Sequence, residues 1–305
     1  MIHSLHFGQP IIYYLLAGMA IAAFVCLAIA ASPRVLSRAK FEVHFLLSAG
    51  AALFVCRWPV LLWPDELNVD ESTFIACALK ATVDWVPWRG FDAATSGPLN
   101  PDILTLPVLF GGNIGYFSAR VVGLCLVTGA IFALYFAVKW IYGPGVARLS
   151  ILPPVVLLSF TKAPDFIHYS SEHFPVFLTT VPIAAAAYLA GGAGCRTVRL
   201  LTCTTAGLFL GCAPLAKLQS APIALAALIL LVAAFFITPP GSSNTRNLEV
   251  LVVAAGLVAI PSLVLISLLA TGGFADAVIS YYKMTLVFAK GRPPFPQTAF
   301  FFSVQ

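Results

Sequence analysis

The sequence predicts an all-α, polytopic transmembrane helix bundle, and three observations carry that expectation. Hydrophobic residues make up 60% of the 305, and charged residues only 10%, against about 25% charged in a soluble domain. The apolar residues gather in stretches near the roughly 20 that a bilayer-crossing helix needs. The loops between those stretches alternate in charge, as the positive-inside rule requires. The net charge of +5 therefore reports orientation and implies no nucleic-acid partner. The seven cysteines lie mostly inside apolar segments and form no CxxC or Cys/His cluster, so neither a disulfide framework nor a zinc site is expected.

Taken in order, the expected spans are 11–31, 41–62, 115–141, 145–160, 173–191, 198–215, 218–237 and 248–270. The first is read as a retained span with its N-terminus outside. No Lys or Arg precedes it, whereas Arg34, Arg38 and Lys40 follow it, the reverse of a signal peptide. The stretch 145–160 is short and contains Pro153-Pro154. The segments 198–215 and 218–237 form a tight hairpin turning near Pro214 and Lys217. Basic residues assign 32–40, 139–148, 191–199 and 238–247 to the cytoplasmic side, leaving 63–114, 161–172 and 271–298 outside. No linker or repeat divides the chain, so 1–305 is read as one transmembrane domain. The last residues, Ala299 to Gln305, look like the opening of a further span, and truncation at the C-terminus is expected.

The first outer loop, 63–114, concentrates seven of the twelve acids: Asp65, Glu66, Asp70, Glu71, Asp84, Asp92 and Asp102. Within it Phe74, Ile75, Ala78, Leu79 and Val83 recur at helical spacing over 70–83, with Asn68 or Asp70 as the cap. This amphipathic helix is expected to lie flat on the outer leaflet. Trp85, Trp88 and Phe91 fit an interfacial aromatic belt. A turn-rich passage, Ser96 to Pro101, precedes a short apolar helix from Ile103 to Phe110.

Four features then combine. A span is followed by an outer loop bearing Asn68-Val-Asp-Glu-Ser-x-Phe-x-x-x-Ala. Next come Thr95-Ser-Gly-Pro-Leu-Asn and Ala119-Arg120 at the start of the next span, and His168-Tyr-Ser-Ser-Glu-His-Phe-Pro follows in a later outer loop. Over roughly residues 41–220 this order resembles the GT-C glycosyltransferases. The likeness is to their family 39-like branch, which includes protein O-mannosyltransferases and lipid A aminoarabinose transferases. The span 11–31 ahead of the motif-bearing loop departs from that pattern. The resemblance implies an enzyme that takes a sugar from a polyprenyl-phosphate donor. Its acceptor would be a glycan, lipid or protein hydroxyl, with the site on the extracytoplasmic face of a bacterial inner membrane.

Elementary chemistry asks for the same residue types. Sugar transfer needs a base near the acceptor oxygen, for which Asp70 is the candidate with Glu71 beside it. It also needs positive charge for the departing phosphate, for which Arg120 and Lys217, at outer ends of neighbouring spans, are the candidates. Arg57, inside an apolar segment near its outer end, either contacts substrate or snorkels to the headgroups. Glu172 and Tyr169 are candidates for sugar or acceptor contact, and Asp92 for orienting the Ser96–Asn100 turn. The plain readings stand beside these: helix capping for Asp70 and Glu71, a solvated loop for Asp65 and Glu66, and a hydrogen-bonded anchor for the cluster 168–173. No structural metal is expected, and at most a loosely held Mg²⁺ or Mn²⁺ near the donor phosphate. Asp70, Arg120 and Lys217 are expected to face one cavity. A transporter or lipid flippase, or a non-catalytic assembly subunit, is the alternative. Transporters place charges near the bilayer midplane, whereas here they gather at the outer face.

Overall fold

The computed structural model describes residues 10–29, 39–92, 96–192, 194–237 and 243–291. Arg34, Arg38, Thr95 and the tail 299–305 lie outside them. Of the described residues 83% are helical, and none forms a strand. Seven helices are long and apolar enough to cross a membrane, so the protein is an integral membrane protein with an all-α polytopic bundle.

The long helices are α1 (Pro10–Ile29), α2 (Ala39–Leu61), α6 (Tyr116–Tyr142), α9 (His173–Ala190), α10 (Arg196–Ala216), α11 (Ala221–Ile237) and α12 (Ser243–Thr271). The expected short span is α7 (Pro144–Phe160), 17 residues that continue unbroken through Pro153-Pro154. The loop between α2 and α6 folds into α3 (Val69–Ala81), α4 (Leu99–Asp102), a 3₁₀ turn (Ile103–Thr105) and α5 (Leu106–Leu109). A single turn, α8 (Pro164–Ile167), precedes α9. After α12 come α13 (Phe274–Ala277), a π turn (Val278–Lys283) and α14 (Met284–Gly291).

Two packed groups meet at the α6–α9 contact. One joins α1, α2, α6 and α7 around Phe24, Phe45, Leu53, Tyr135 and Ile151. The other joins α9, α10, α11 and α12 around Leu189, Ala206, Leu210, Leu231 and Val253. Lipid supplies little hydrophobic drive between helices, so small residues that let backbones approach do the packing. A Cβ on Gly207 would be forced against the Val253 carbonyl, and one on Gly211 against that of Leu257. These paired offsets set α10 and α12 side by side in the same direction. Charges at the other end of the bundle pair off: Lys139 Nζ donates to Glu42 at 2.7 Å, and Arg199 Nε to Glu249 at 2.7 Å.

A third group sits under the 63–114 loop: Phe74, Cys77, Ala78, Phe91, Leu104, Ala119 and Tyr169. Here the structure revises three expectations. Helix α3 turns only part of its apolar stripe inward, because Leu79 and Val83 are exposed and the helix stops at Ala81. The aromatic belt reduces to Trp85, since Phe91 is core and Trp88 packs on Tyr281 with ring centroids 5.3 Å apart. Trp88 adopts φ 61°, a backbone region that a bulky residue rarely enters. The helix expected over 103–110 begins earlier, at Leu99, and is built from three short pieces.

Candidate active site at the loop-bearing end

Asn68 starts α3. Its backbone is extended, and its Oδ1 accepts the Asp70 N–H at 2.9 Å. That leaves the Asp70 side chain free of capping duty. It is exposed, with no ion pair among the described residues.

Glu71, one residue further, points the opposite way and is fully buried. It meets Arg120, which the first turn of α6 carries inward. Arg120 Nε donates to Glu71 Oε1 at 2.9 Å, and Nη2 to Oε2 at 2.7 Å. Arg120 Nη2 also donates to the Asp65 carbonyl at 2.7 Å, and Nη1 to the carbonyls of Val60, at 3.1 Å, and Trp63. All five N–H donors of the guanidinium are therefore engaged. The fork geometry of arginine suits this two-oxygen recognition, and lysine could not reproduce it. The Tyr116 ring lies 5.2 Å below the guanidinium carbon. The pair thus ties the end of α2, the start of α3 and the start of α6 to one point.

The later loop 168–173 attaches to the same point. The Tyr169 N–H donates to Glu71 Oε1 at 3.3 Å, and the Tyr169 ring meets Phe74 edge-on. Its hydroxyl donates to the Asn100 carbonyl at 2.8 Å. Burial holds this phenol well above its usual pKa, so it stays a donor. Asn100 is fully buried, and its Nδ2 donates to the carbonyls of Ser171, at 3.2 Å, and Ala216, at 2.9 Å. The Gly97 N–H donates to the Ala216 carbonyl at 2.8 Å. One asparagine therefore joins three segments far apart in sequence.

Lys217 completes the cluster. It ends α10, and its Nζ donates to Ser171 Oγ at 2.8 Å and to the Glu172 carboxylate. The Glu172 carboxylate is largely exposed. Of the three Lys217 protons two are used, and the third has no partner among the described residues.

The residues singled out from sequence thus divide. Glu71, Arg120 and Tyr169 come together in one buried network, and Lys217 and Glu172 in one ion pair, with Asn100 and Ser171 linking the two. The cavity that Arg120 lines does not extend to Asp70 or Lys217. It is small, lies between α2, α6, α7 and the 166–173 loop, and is lined also by Arg57, His168 and His173. Arg120 faces it with every donor already committed. Asp92 is exposed at the edge of the described loop, where its carbonyl accepts Cys77 Sγ at 3.4 Å. No group of three His, Cys, Asp or Glu that could hold a metal occurs among the described residues. Sequence reasoning assigned no role to Asn100, Gly97 or Ser171. All three nonetheless stand in motifs already singled out, Gly97 and Asn100 in Thr95-Ser-Gly-Pro-Leu-Asn and Ser171 in His168-Tyr-Ser-Ser-Glu-His-Phe-Pro.

Asp102 gives this end of the bundle a pH response. Burial pushes its carboxyl up to about 7, from about 4 in an unfolded chain. The folded state then holds the proton across that window, so stability falls as pH rises from about 4 to about 7. Asp102→Asn is expected to remove this slope and to raise stability at pH 8, by roughly 1 kcal/mol or more. Unfolding midpoints of both chains in detergent across pH 4–8 measure it, and parallel curves would refute it.

No protein-family model matches the chain, and it has no match among curated proteins or solved structures.

Proposed function

We propose that the protein is a membrane glycosyltransferase acting on a polyprenyl-phosphate-linked sugar at its loop-bearing end, the extracytoplasmic face of a bacterial inner membrane. The observation that supports this best is the division of labour between adjacent carboxylates. Glu71 is held by Arg120, while Asp70, without an ion pair among the described residues, is exposed at a helix start that the Glu71–Arg120 pair anchors.

In the step proposed, Asp70 accepts the proton of an acceptor hydroxyl. The acceptor oxygen bonds to the anomeric carbon from the face opposite the phosphate. The carbon–oxygen bond to phosphate breaks, its electron pair leaves on the phosphate oxygen, and the anomeric centre inverts. Polyprenyl monophosphate is released. Lys217, with one proton unused, is assigned to the developing phosphate charge, and Glu172 to a sugar or acceptor hydroxyl. Glu71 and Arg120 act as positioning residues, because neither has a free polar atom to offer a substrate.

The test is transfer by the full chain from a panel of polyprenyl-phosphate sugars, with Asp70→Asn alongside. Loss of a general base lowers rate by about 10²–10⁴, with donor binding retained. Full activity in Asp70→Asn would remove it from the chemistry. No transfer by the wild-type chain with any donor would favour a transporter or an assembly subunit.

A further inference from the structure

Arg57 stands outside the network above. It lies on α2, four residues before the helix ends at Leu61, which is about 6 Å below that end. The residue is 6% exposed, and its Nη1 is buried with no hydrogen-bond partner among the described residues. No carboxylate among those residues forms an ion pair with it. His168 has the matching deficit: it is 3% exposed, and its Nε2 is buried and unbonded. Both side chains line one cavity of about 20 Å³, which is room for a single particle of about water's size. Two other polar side chains line it, and neither supplies a negative charge. Arg120 is already neutralised by Glu71. His173 accepts the Ser170 N–H at Nδ1, at 3.4 Å, so its neutral ring keeps the proton on Nε2. The remaining lining carries no polar side chain, and Leu53 and Leu61 in it are almost wholly buried.

A water satisfies hydrogen bonds here but leaves the guanidinium charge unbalanced, and an unbalanced buried charge is strongly disfavoured. The cavity therefore calls for an anion, and its volume restricts that anion to a single atom. His168 adds a condition. Its Nδ1 stands 2.7 Å from the Tyr169 carbonyl, and a carbonyl only accepts, so Nδ1 carries the proton of the neutral ring. Nε2 then presents a lone pair, which repels an anion, and becomes a donor only with a second proton. Binding an anion therefore takes up one proton at Nε2. Arg57 faces this ring from α2, the Glu71–Arg120 pair from α6 and His173 from the same loop, while α7 contributes the uncharged Leu158. Asp165 Oδ1, 3.7 Å from Nε2 on a side chain 78% exposed, supports that proton only weakly. Tyr13 and Cys56 are titratable neighbours of Arg57, both of types that are uncharged near neutral pH.

We propose that Arg57 and His168 form a chloride site, in which one Cl⁻ binds together with one proton on His168. Arg57 Nη1 and His168 Nε2 donate to the ion. Arg57, the imidazolium, Asp165 and chloride then sum to zero charge. The ion ties the 168–173 loop to the end of α2, and the same loop carries Ser171 and Glu172 to Lys217. The proposal does not depend on the glycosyltransferase reading.

The test is the unfolding midpoint of the full chain in detergent, titrated with sodium chloride, sodium bromide or sodium gluconate at constant ionic strength, at about pH 6 and about pH 8. Chloride and bromide are expected to raise the midpoint above gluconate, with higher apparent affinity at the lower pH. The affinity should fall with rising pH by at most about tenfold per unit, the limit for one linked proton. Arg57→Gln should abolish the halide–gluconate difference. Its midpoint in gluconate should not lie below that of the wild type, because the variant removes an unbalanced charge, and this separates loss of binding from loss of fold. His168→Gln puts a neutral amide donor near the Nε2 position, so the difference should persist and lose its pH dependence. Equal midpoints in chloride and gluconate would overturn the site and leave a water in the cavity. A difference of the same size in Arg57→Gln would be a general salt effect and would overturn it as well. A pH dependence that survives His168→Gln would overturn the linked proton.

Discussion

Glu71→Gln should lower stability by about 3 kcal/mol or more, among the largest effects of any single change in this chain. Removing one partner of a buried ion pair leaves the other charge unbalanced, and such losses run to about 3–5 kcal/mol. Here the abandoned group is Arg120, itself fully enclosed, with Glu71 as its only anionic partner among the described residues. Three backbone carbonyls still bind the guanidinium but contribute no net charge. The double variant Glu71→Leu/Arg120→Met should recover much of the loss, because no unpaired charge remains. Unfolding midpoints of the three chains in one detergent provide the measurement. A loss below about 1 kcal/mol for Glu71→Gln would mean that water reaches the pair.

Gly97→Ala should come next in size and strike the site more directly. A Cβ at this position would be driven into the Leu215 carbonyl, with the Tyr281 hydroxyl close behind it. The obstacle is backbone in the last turn of α10, which cannot rotate away as a side chain could. The strand-like contact between Ser96 and Lys217 must open, and the Asn100 bonds to Ser171 and Ala216 go with it. Overpacking of this kind costs about 1–3 kcal/mol. Displacing Lys217 should lower transfer activity more than that loss implies. Stability and donor turnover measured together would check it. A chain with wild-type values of both would show that the loop does not rest on α10 as described.

Most of the bundle was legible because it depends on composition and periodicity, which a single sequence carries. The eight apolar stretches reappear as helices within a few residues of their expected ends, from Pro10–Ile29 to Ser243–Thr271. The first-loop helix was legible for the same reason, since Phe74 and Ala78 mark its inward face. What sequence could not give is which way two neighbouring residues point. Asp70 and Glu71 look alike as letters, yet one is exposed and the other is sealed against Arg120. The difference follows from the Asn68 cap, which sets the phase of the helix. Arg120 looked like a free cation because nothing local announces a carboxylate 49 residues away. Phe91 looked interfacial beside two tryptophans, but the chain reversal at Trp88 turns it into the core under the loop.

The Glu71–Arg120 pair also constrains the order of assembly on the ribosome. Chains emerge N-terminus first, so Glu71 is made before the cation that neutralises it. Once α6 has emerged, α2, α3 and α6 hold everything that the pair needs: both side chains and the carbonyls of Val60, Trp63 and Asp65. Tyr169 follows 98 residues after Glu71. Asn100 must wait 116 residues for Ala216. The N-terminal half can therefore neutralise its own buried charge while the rest is still being synthesised. The loop 168–173 and the end of α10 then dock onto a platform that already exists. A translation arrest just after α6 would thus be expected to leave a protease-resistant Glu71 region, whereas the Asn100 passage would stay open to cleavage until Lys217 has cleared the tunnel.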